Sequence, residues 1–241
     1  MRILGKGIIV LLLLVPGLGI TQPKLVFSGI QGSANSDISM RVLQHAYQQL
    51  GIDIEYLPLP GERALRTSDS GEVDGEVFRI ANVNKRYKNL VPVPTRINVL
   101  QGIAFTKERD IRVDGWQSLA PHNIGIQVGI KFAERGTEGM NRILVDTNEQ
   151  LFKMLDSGRV DVIVAAHANG LKTISALELT GIRSTTPAIQ EYPLFHYLHK
   201  KHSALVPKLD AVLRDMEESG LILQMRHSAL EDLQNGGKSL D

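Results

Sequence analysis

Apolar residues recur at Ile38, Val42, Leu43, Ala46, Tyr47 and Leu50, the three-to-four-residue spacing of a helix with one buried face. Asn35 or Ser36 is placed to cap its start and Gly51 to end it, because a residue without Cβ enters the left-handed conformation at least cost. Before this helix, Lys24-Leu25-Val26-Phe27 reads as a short strand running into a Ser28-to-Ser33 loop. After it, Ile52 to Leu57 is a second strand and Pro58-Leu59-Pro60-Gly61 a turn. A second helix then runs to Gly71, and a third strand spans Gly75 to Arg79. Strand-helix-strand-helix-strand is the order of a parallel sheet, whose crossovers need helices to bring the chain back to the same edge.

The pattern then repeats. Asp69-Ser70-Gly71-Glu72-Val73-Asp74 returns as Asp156-Ser157-Gly158-Arg159-Val160-Asp161, each time after an apolar helical segment and before a short strand. The second set has strands at Ile124 to Val128, Ile143 to Val145 and Val162 to Ala166, with a helix near Gly129 and another from Thr147. Thr147-Asn148-Glu149-Gln150 has capping-box form. Between the sets run the extended stretches Asn89 to Pro94 and Ile97 to Thr106. Beyond the second set come Ile182 to Pro187 and Tyr192 to Leu198, then two helices broken at Gly220. The expected fold class is α/β: two lobes, each with a parallel or mixed sheet and flanking helices, joined by two hinge strands. The expected boundaries are 22–100 with 191–234 for the first lobe, 101–190 for the second and 235–241 for a flexible tail. A two-strand joint favours hinge bending between rigid bodies.

Composition changes the picture at one end. Arg2 and Lys6 precede an uncharged run from Gly7 to Ile20 containing four consecutive leucines, the layout of a secretory signal and short for a bilayer span. A signal peptide over 1–21 and a periplasmic location are therefore expected. The 241 residues contain no cysteine, which removes disulfides, thiolate metal ligands and a cysteine nucleophile. Without Arg2 and Lys6, the 27 basic residues become 25 against 26 acidic ones, so there is no electrostatic footprint for nucleic acid. A monomer without a cofactor is expected.

Candidate chemistry is sparse. Arg79 ends a predicted strand at the edge where open α/β sheets bind ligands. Beside Phe78 it needs an anionic partner, either a ligand or an internal carboxylate such as Glu62 or Glu76. His196, His199 and His202 recur every third residue, but a strand points the first two to opposite faces and Lys200-Lys201 repels a cation, so no metal is assigned. Gly236-Gly237-Lys238-Ser239 follows a helix and lacks the first glycine of a phosphate loop. No catalytic set can be assembled.

Four stretches together carry a resemblance: Ala46-Tyr47-Gln48-Gln49-Leu50-Gly51, Pro60-Gly61-Glu62-Arg63-Ala64-Leu65, the Ser-Gly-x-Val-Asp pair at Gly71 and Gly158, and Asn84-Lys85-Arg86-Tyr87. In order and spacing the chain resembles the type II periplasmic solute-binding proteins, in particular the amino-acid branch that serves ABC transporters. The resemblance implies a clamshell closing on a small anionic or zwitterionic solute and handing it to a permease or a membrane receptor. It places a carboxylate-gripping arginine at Arg86 and anion-binding amides after Gly129, at Ile130 and Lys131. The chain departs from the pattern in three places. Ile130 replaces a threonine, Ser28 to Ser33 replaces an aromatic loop, and Ala166-His167 stands where an acid would receive the ligand's ammonium, leaving His167 and Asn169 as neutral substitutes. Ser28 and Glu62 complete the candidate ligand contacts. Some relatives are dehydratases, so an enzyme using Glu62 is the alternative, and a ligand-sensing module another.

Overall fold

The computed structural model describes residues 24–108 and 110–235. The apolar leader at 1–21 and the Gly236-to-Ser239 stretch lie outside the described residues. The first set comprises β1 (Lys24–Ile30), α1 (Ala34–Gln49), β2 (Asp53–Leu59), α2 (Gly61–Ser70) and β3 (Gly75–Ile80), with β1 lying parallel between β2 and β3. After β4 (Leu90–Thr106) the second set comprises β5 (Ile124–Gln127), α3 (Lys131–Gly136), β6 (Arg142–Val145), α4 (Asn148–Asp156), β7 (Val162–Ala166) and α5 (His167–Ala176). Here β5 lies parallel between β6 and β7, the same arrangement as in the first set. β8 (Arg183–Ser184), β9 (Gln190–His199), α6 (Val206–Glu218) and α7 (Leu221–Gln234) follow.

The strands run β2-β1-β3-β9-β4-β7-β5-β6, with β8 beside β4. Each set keeps its parallel trio, and the antiparallel pair β4–β9 joins the two into one nine-stranded path. The two extended stretches expected before Thr106 are a single 17-residue strand. Pro92 and Pro94 have no N–H to donate, and the β4–β9 register shifts between Pro92 and Arg96 instead of ending the strand.

The repeated hexapeptide builds the same clasp twice. In the first copy the Asp74 amide donates to Val26 O at 2.8 Å, and Val26 N–H donates back to Asp74 Oδ2 at 2.8 Å. In the second, the Asp161 amide donates to Asn123 O at 3.0 Å and Asn123 N–H returns to Asp161 Oδ2 at 2.8 Å. Gly71 and Gly158 turn the chain with φ of 82° and 70°, and Val73 and Val160 are buried beside them. The motif is thus a structural staple that ties each helix-to-strand return to the first strand of its trio.

Apolar burial follows the two sets. Phe27, Leu43, Val77 and Leu209 belong to one cluster under α1 and α6, whereas Phe105, Leu151, Phe152 and Ile163 belong to another under α4. Full burial of such a side chain contributes about 1.5–3 kcal/mol. Two local expectations change. β1 continues through Ser28 to Ile30 because Ser28 is buried and pairs with Leu57 and Glu76. The helix α5 was not among the expected elements. A Cβ at Gly170 would lie 2.3 Å from Phe105 Cζ, so the glycine there permits close packing of helix on sheet. Among the described residues no helix is long and apolar enough to cross a membrane.

Candidate functional site

A cleft of about 580 Å³ opens at the C-terminal ends of β1, β3, β5 and β7, within the size range of small-molecule sites. From the first set it takes the Ile30-to-Ser33 loop, Phe78 and Arg79. From the second it takes Gln127, Gly129 to Phe132, Arg135 and the α5 side chains Asn169 and Lys172, and the joining strands supply Leu100 and Tyr192. The open edge of both parallel trios therefore faces one space, as it does in ligand-binding α/β sheets generally. On one flank the sets touch directly. Asn169 Oδ1 accepts the Ala34 amide at 3.0 Å, and Lys172 Nζ lies 3.0 Å from Asp37 Oδ2, so α5 is tied to the start of α1. Ala34, Ile38, Ala168 and Ala229 pack together in the same region.

Arg79 reaches the cleft from a buried polar cluster. Its side chain is 12% exposed, and Nη2 lies 2.6 Å from Oε1 of Glu76, which is fully buried. Nη2 also donates to Gly61 O at 2.7 Å. The Glu76 contact is too oblique for a hydrogen bond, so Glu76 Oε1 and Arg79 Nε are buried without a hydrogen-bond partner. Glu76 Oε2 sits 2.7 Å from Ser28 Oγ and 3.2 Å from Ser68 Oγ. Those two hydroxyls also face Ala64 O and Gly75 O, at 2.9 and 2.8 Å. Two hydroxyl protons cannot serve both carbonyls and the carboxylate, and a proton on Glu76 removes the shortfall. Burial pushes the Glu76 carboxyl up to about 7, against the pull of Arg79 and the two serines.

The cleft brings together four of the eight expected contacts: Arg79, Gly129, Lys131 and Asn169. Ser28 lies beneath it, fully buried, and reaches it only through Glu76 and Arg79. His167 sits half-buried near Phe105, its Nδ1 without a partner, and is not part of the lining. Arg86 and Glu62 are also outside the lining. Arg86 is 71% exposed and pairs with Glu62 Oε1 at 3.1 Å, and Tyr87 donates to the same oxygen at 2.8 Å. The short turn at Val83–Lys85 carries the arginine to the surface over α2. Of the amides after β5, those of Gly129 and Ile130 are taken. Gly129 N–H donates to Glu134 Oε1 at 2.6 Å and Ile130 N–H to Gln127 O at 3.3 Å.

Sequence reasoning missed Arg135, Lys172, Phe132 and Tyr192. Lys131 and Arg135 are one helical turn apart on the helix expected near Gly129, which already put them on one face, and Asn169 and Lys172 are three residues apart, so a helix assigned after Ala166 would have done the same for them. With Arg79, the lining holds four cations and no carboxylate. Lys131 is paired with Glu134 at 2.7 Å. Arg135 Nε donates to Lys131 O at 3.2 Å and has no carboxylate partner among the described residues.

No protein-family model matches the chain. An uncharacterized protein of Shewanella oneidensis is 28% identical over 201 residues, 78% of this chain and 74% of that one. Among solved structures, a histidine kinase sensor domain with similarity to periplasmic binding proteins superposes with a TM-score of 0.65 at 16% identity, over 87% of this chain and 96% of its own. The amino acid ABC transporter substrate-binding protein AbpA of Streptococcus pneumoniae, bound to L-arginine, superposes with a TM-score of 0.64 at 17% identity, over 87% and 95%. The fold is that of the type II periplasmic solute-binding proteins.

Proposed function

We propose that the chain is an extracytoplasmic solute-binding protein that closes on a small anionic or zwitterionic ligand and presents it to a membrane permease. In this reading residues 22–100 and 191–234 form one jaw, residues 101–190 the other, and the protein acts as a periplasmic monomer after loss of residues 1–21. The observation that carries it is the cleft itself, built from both sets at their open sheet edges and lined by four cations without an acid. Lobe closure around a solute is a hinge movement, and β4 and β9 supply the two connections it requires.

The test is a thermal-shift screen of organic acids and amino acids, followed by calorimetry. A ligand that binds only the folded protein adds about 2.7 kcal/mol at a hundredfold excess over Kd. A flat response across the whole panel sinks the proposal. The similarity to a sensor domain supports a second reading in which a receptor recognises the closed form. Retention of a genetically linked receptor's periplasmic domain only in the presence of ligand distinguishes it from transport. The dehydratase alternative loses its nominated group, because Glu62 lies outside the lining and is occupied by Arg86 and Tyr87.

A further inference from the structure

Charge in the cleft has one sign. Arg79, Lys131, Arg135 and Lys172 line it, and no aspartate or glutamate does. Three of them are already paired, with Glu76, Glu134 and Asp37 at 2.6 to 3.0 Å, carboxylates that are not themselves lining residues. Arg135 has only a backbone carbonyl to donate to, and the Arg79 Nε is buried without any acceptor. An incoming anion supplies what these groups lack. An ammonium group meets the opposite situation, with cations around it and no carboxylate to receive it. At the end of β7 the chain has Ala166 followed by His167. Burial, with Arg226 nearby, pushes the His167 imidazole below its ordinary value, so it contributes no negative charge and no cation.

Neutral polar side chains such as Gln31, Gln127, Asn148 and Thr173 also line the cleft, and one part of the wall is apolar. The Phe132 and Tyr192 rings face each other at 6.0 Å between centroids with planes at 52°, beside Leu100 and Phe78. Phe132 is seated against β4 at Gly102, where a Cβ would come within 2.6 Å of its ring. The glycine thus lets the ring approach the joining strand closely.

Resting on the solute-binding reading, we propose that the ligand is a small organic acid with an aromatic or branched apolar body and no ammonium group. Its carboxylate is held by Arg135 and the neighbouring cations, and its body lies on the Phe132–Tyr192 wall. Binding replaces the missing partner of Arg135 and covers apolar surface in the same step.

Matched pairs that differ only in the ammonium group test this: 3-phenylpropanoate against phenylalanine, and 4-methylpentanoate against leucine, each titrated calorimetrically into the full chain. The acid of at least one pair is expected to bind at least about tenfold more tightly than its amino acid. Arg135→Ala is expected to weaken that acid by about tenfold or more, the value of one charge-assisted hydrogen bond, with the ligand-free Tm unchanged. Arg135→Lys restores part of the affinity, and it replaces the alanine variant should that one lose stability. If the amino acid binds as tightly as its acid in every pair that binds, the inference is overturned and the solute-binding reading stands. Silence from both acids also overturns it, and only silence across the wider panel removes the solute-binding reading too.

Discussion

Replacing Glu76 by glutamine separates the charge of this buried group from its shape. Glutamine keeps the volume and can still meet Ser28 and Ser68, while the proton equilibrium disappears. The folded protein holds the Glu76 carboxyl up at about 7, against an ordinary 4.5. Between those values the unfolded chain is ionised and the folded one keeps its proton, so the unfolded state binds fewer protons and stability falls as pH rises. The contribution is fully present below the unfolded value and lost as pH rises through 7. Integrated from pH 5 to pH 8, the loss is on the order of 2–3 kcal/mol. The loss of the Arg79 partner is a constant offset in the variant and does not alter the slope. Urea unfolding of both proteins at the two pH values reads the effect directly. Glu76→Gln should gain on the order of 2–3 kcal/mol on the parent between pH 5 and pH 8. A difference that stays constant, or grows in the opposite direction, refutes the view that Glu76 is protonated in the folded state at mildly acidic pH.

Other perturbations probe the staples and the cleft boundary. Asp74→Ala and Asp161→Ala each break a carboxylate clasp and should cost about 1–3 kcal/mol in urea unfolding. Asp74 should cost more, since it also receives His202 and Lys201 at 2.7 and 2.9 Å. Burial pushes the Asp74 carboxyl up, but the Val26 amide, His202 and Lys201 together hold it below its ordinary value. Its contribution is therefore present above the ordinary carboxylate range and fades as pH falls through the folded value; acid-independent losses in Asp74→Ala would contradict this. Gly170→Ala drives a methyl into Phe105 and should lower stability by about 1–3 kcal/mol, and a Tm equal to the parent's would show that α5 can lift from β4 freely. Arg86→Ala should leave ligand affinity within about twofold, since the side chain is solvated and outside the lining; a tenfold loss would return Arg86 to the binding site.

Local order was legible without coordinates where a physical signal sat in a few neighbouring residues. The helix that became α1, the Thr147–Gln150 capping box with both of its hydrogen bonds, the glycine stops at Gly71 and Gly158, and the hexapeptide repeat are all of this kind. So was Arg79, because a buried arginine at a strand end demands an anion, and the structure supplies Glu76 at 2.6 Å. Arg86 misled because its assignment came from its distance along the chain after Asp74, and chain distance does not say which way a loop turns. The α5 helix went unassigned, and what shapes it is not local, since the phenyl ring that forbids a Cβ at Gly170 belongs to a strand 65 residues earlier.

The chain by itself determined the α/β class, the doubled strand-helix return and the presence of two extended connections, since these follow from periodicity, capping chemistry and the conformational needs of glycine. Only the folded structure decided which charges share a space. Arg79, Lys131, Arg135 and Lys172 come from β3, α3 and α5, and they meet because β4 and β9 join the two parallel trios into one sheet whose C-terminal strand ends border one cleft. Glu76, Glu134 and Asp37 pair with three of them without being lining residues. That gathering of cations depends on long-range packing, which no local pattern encodes.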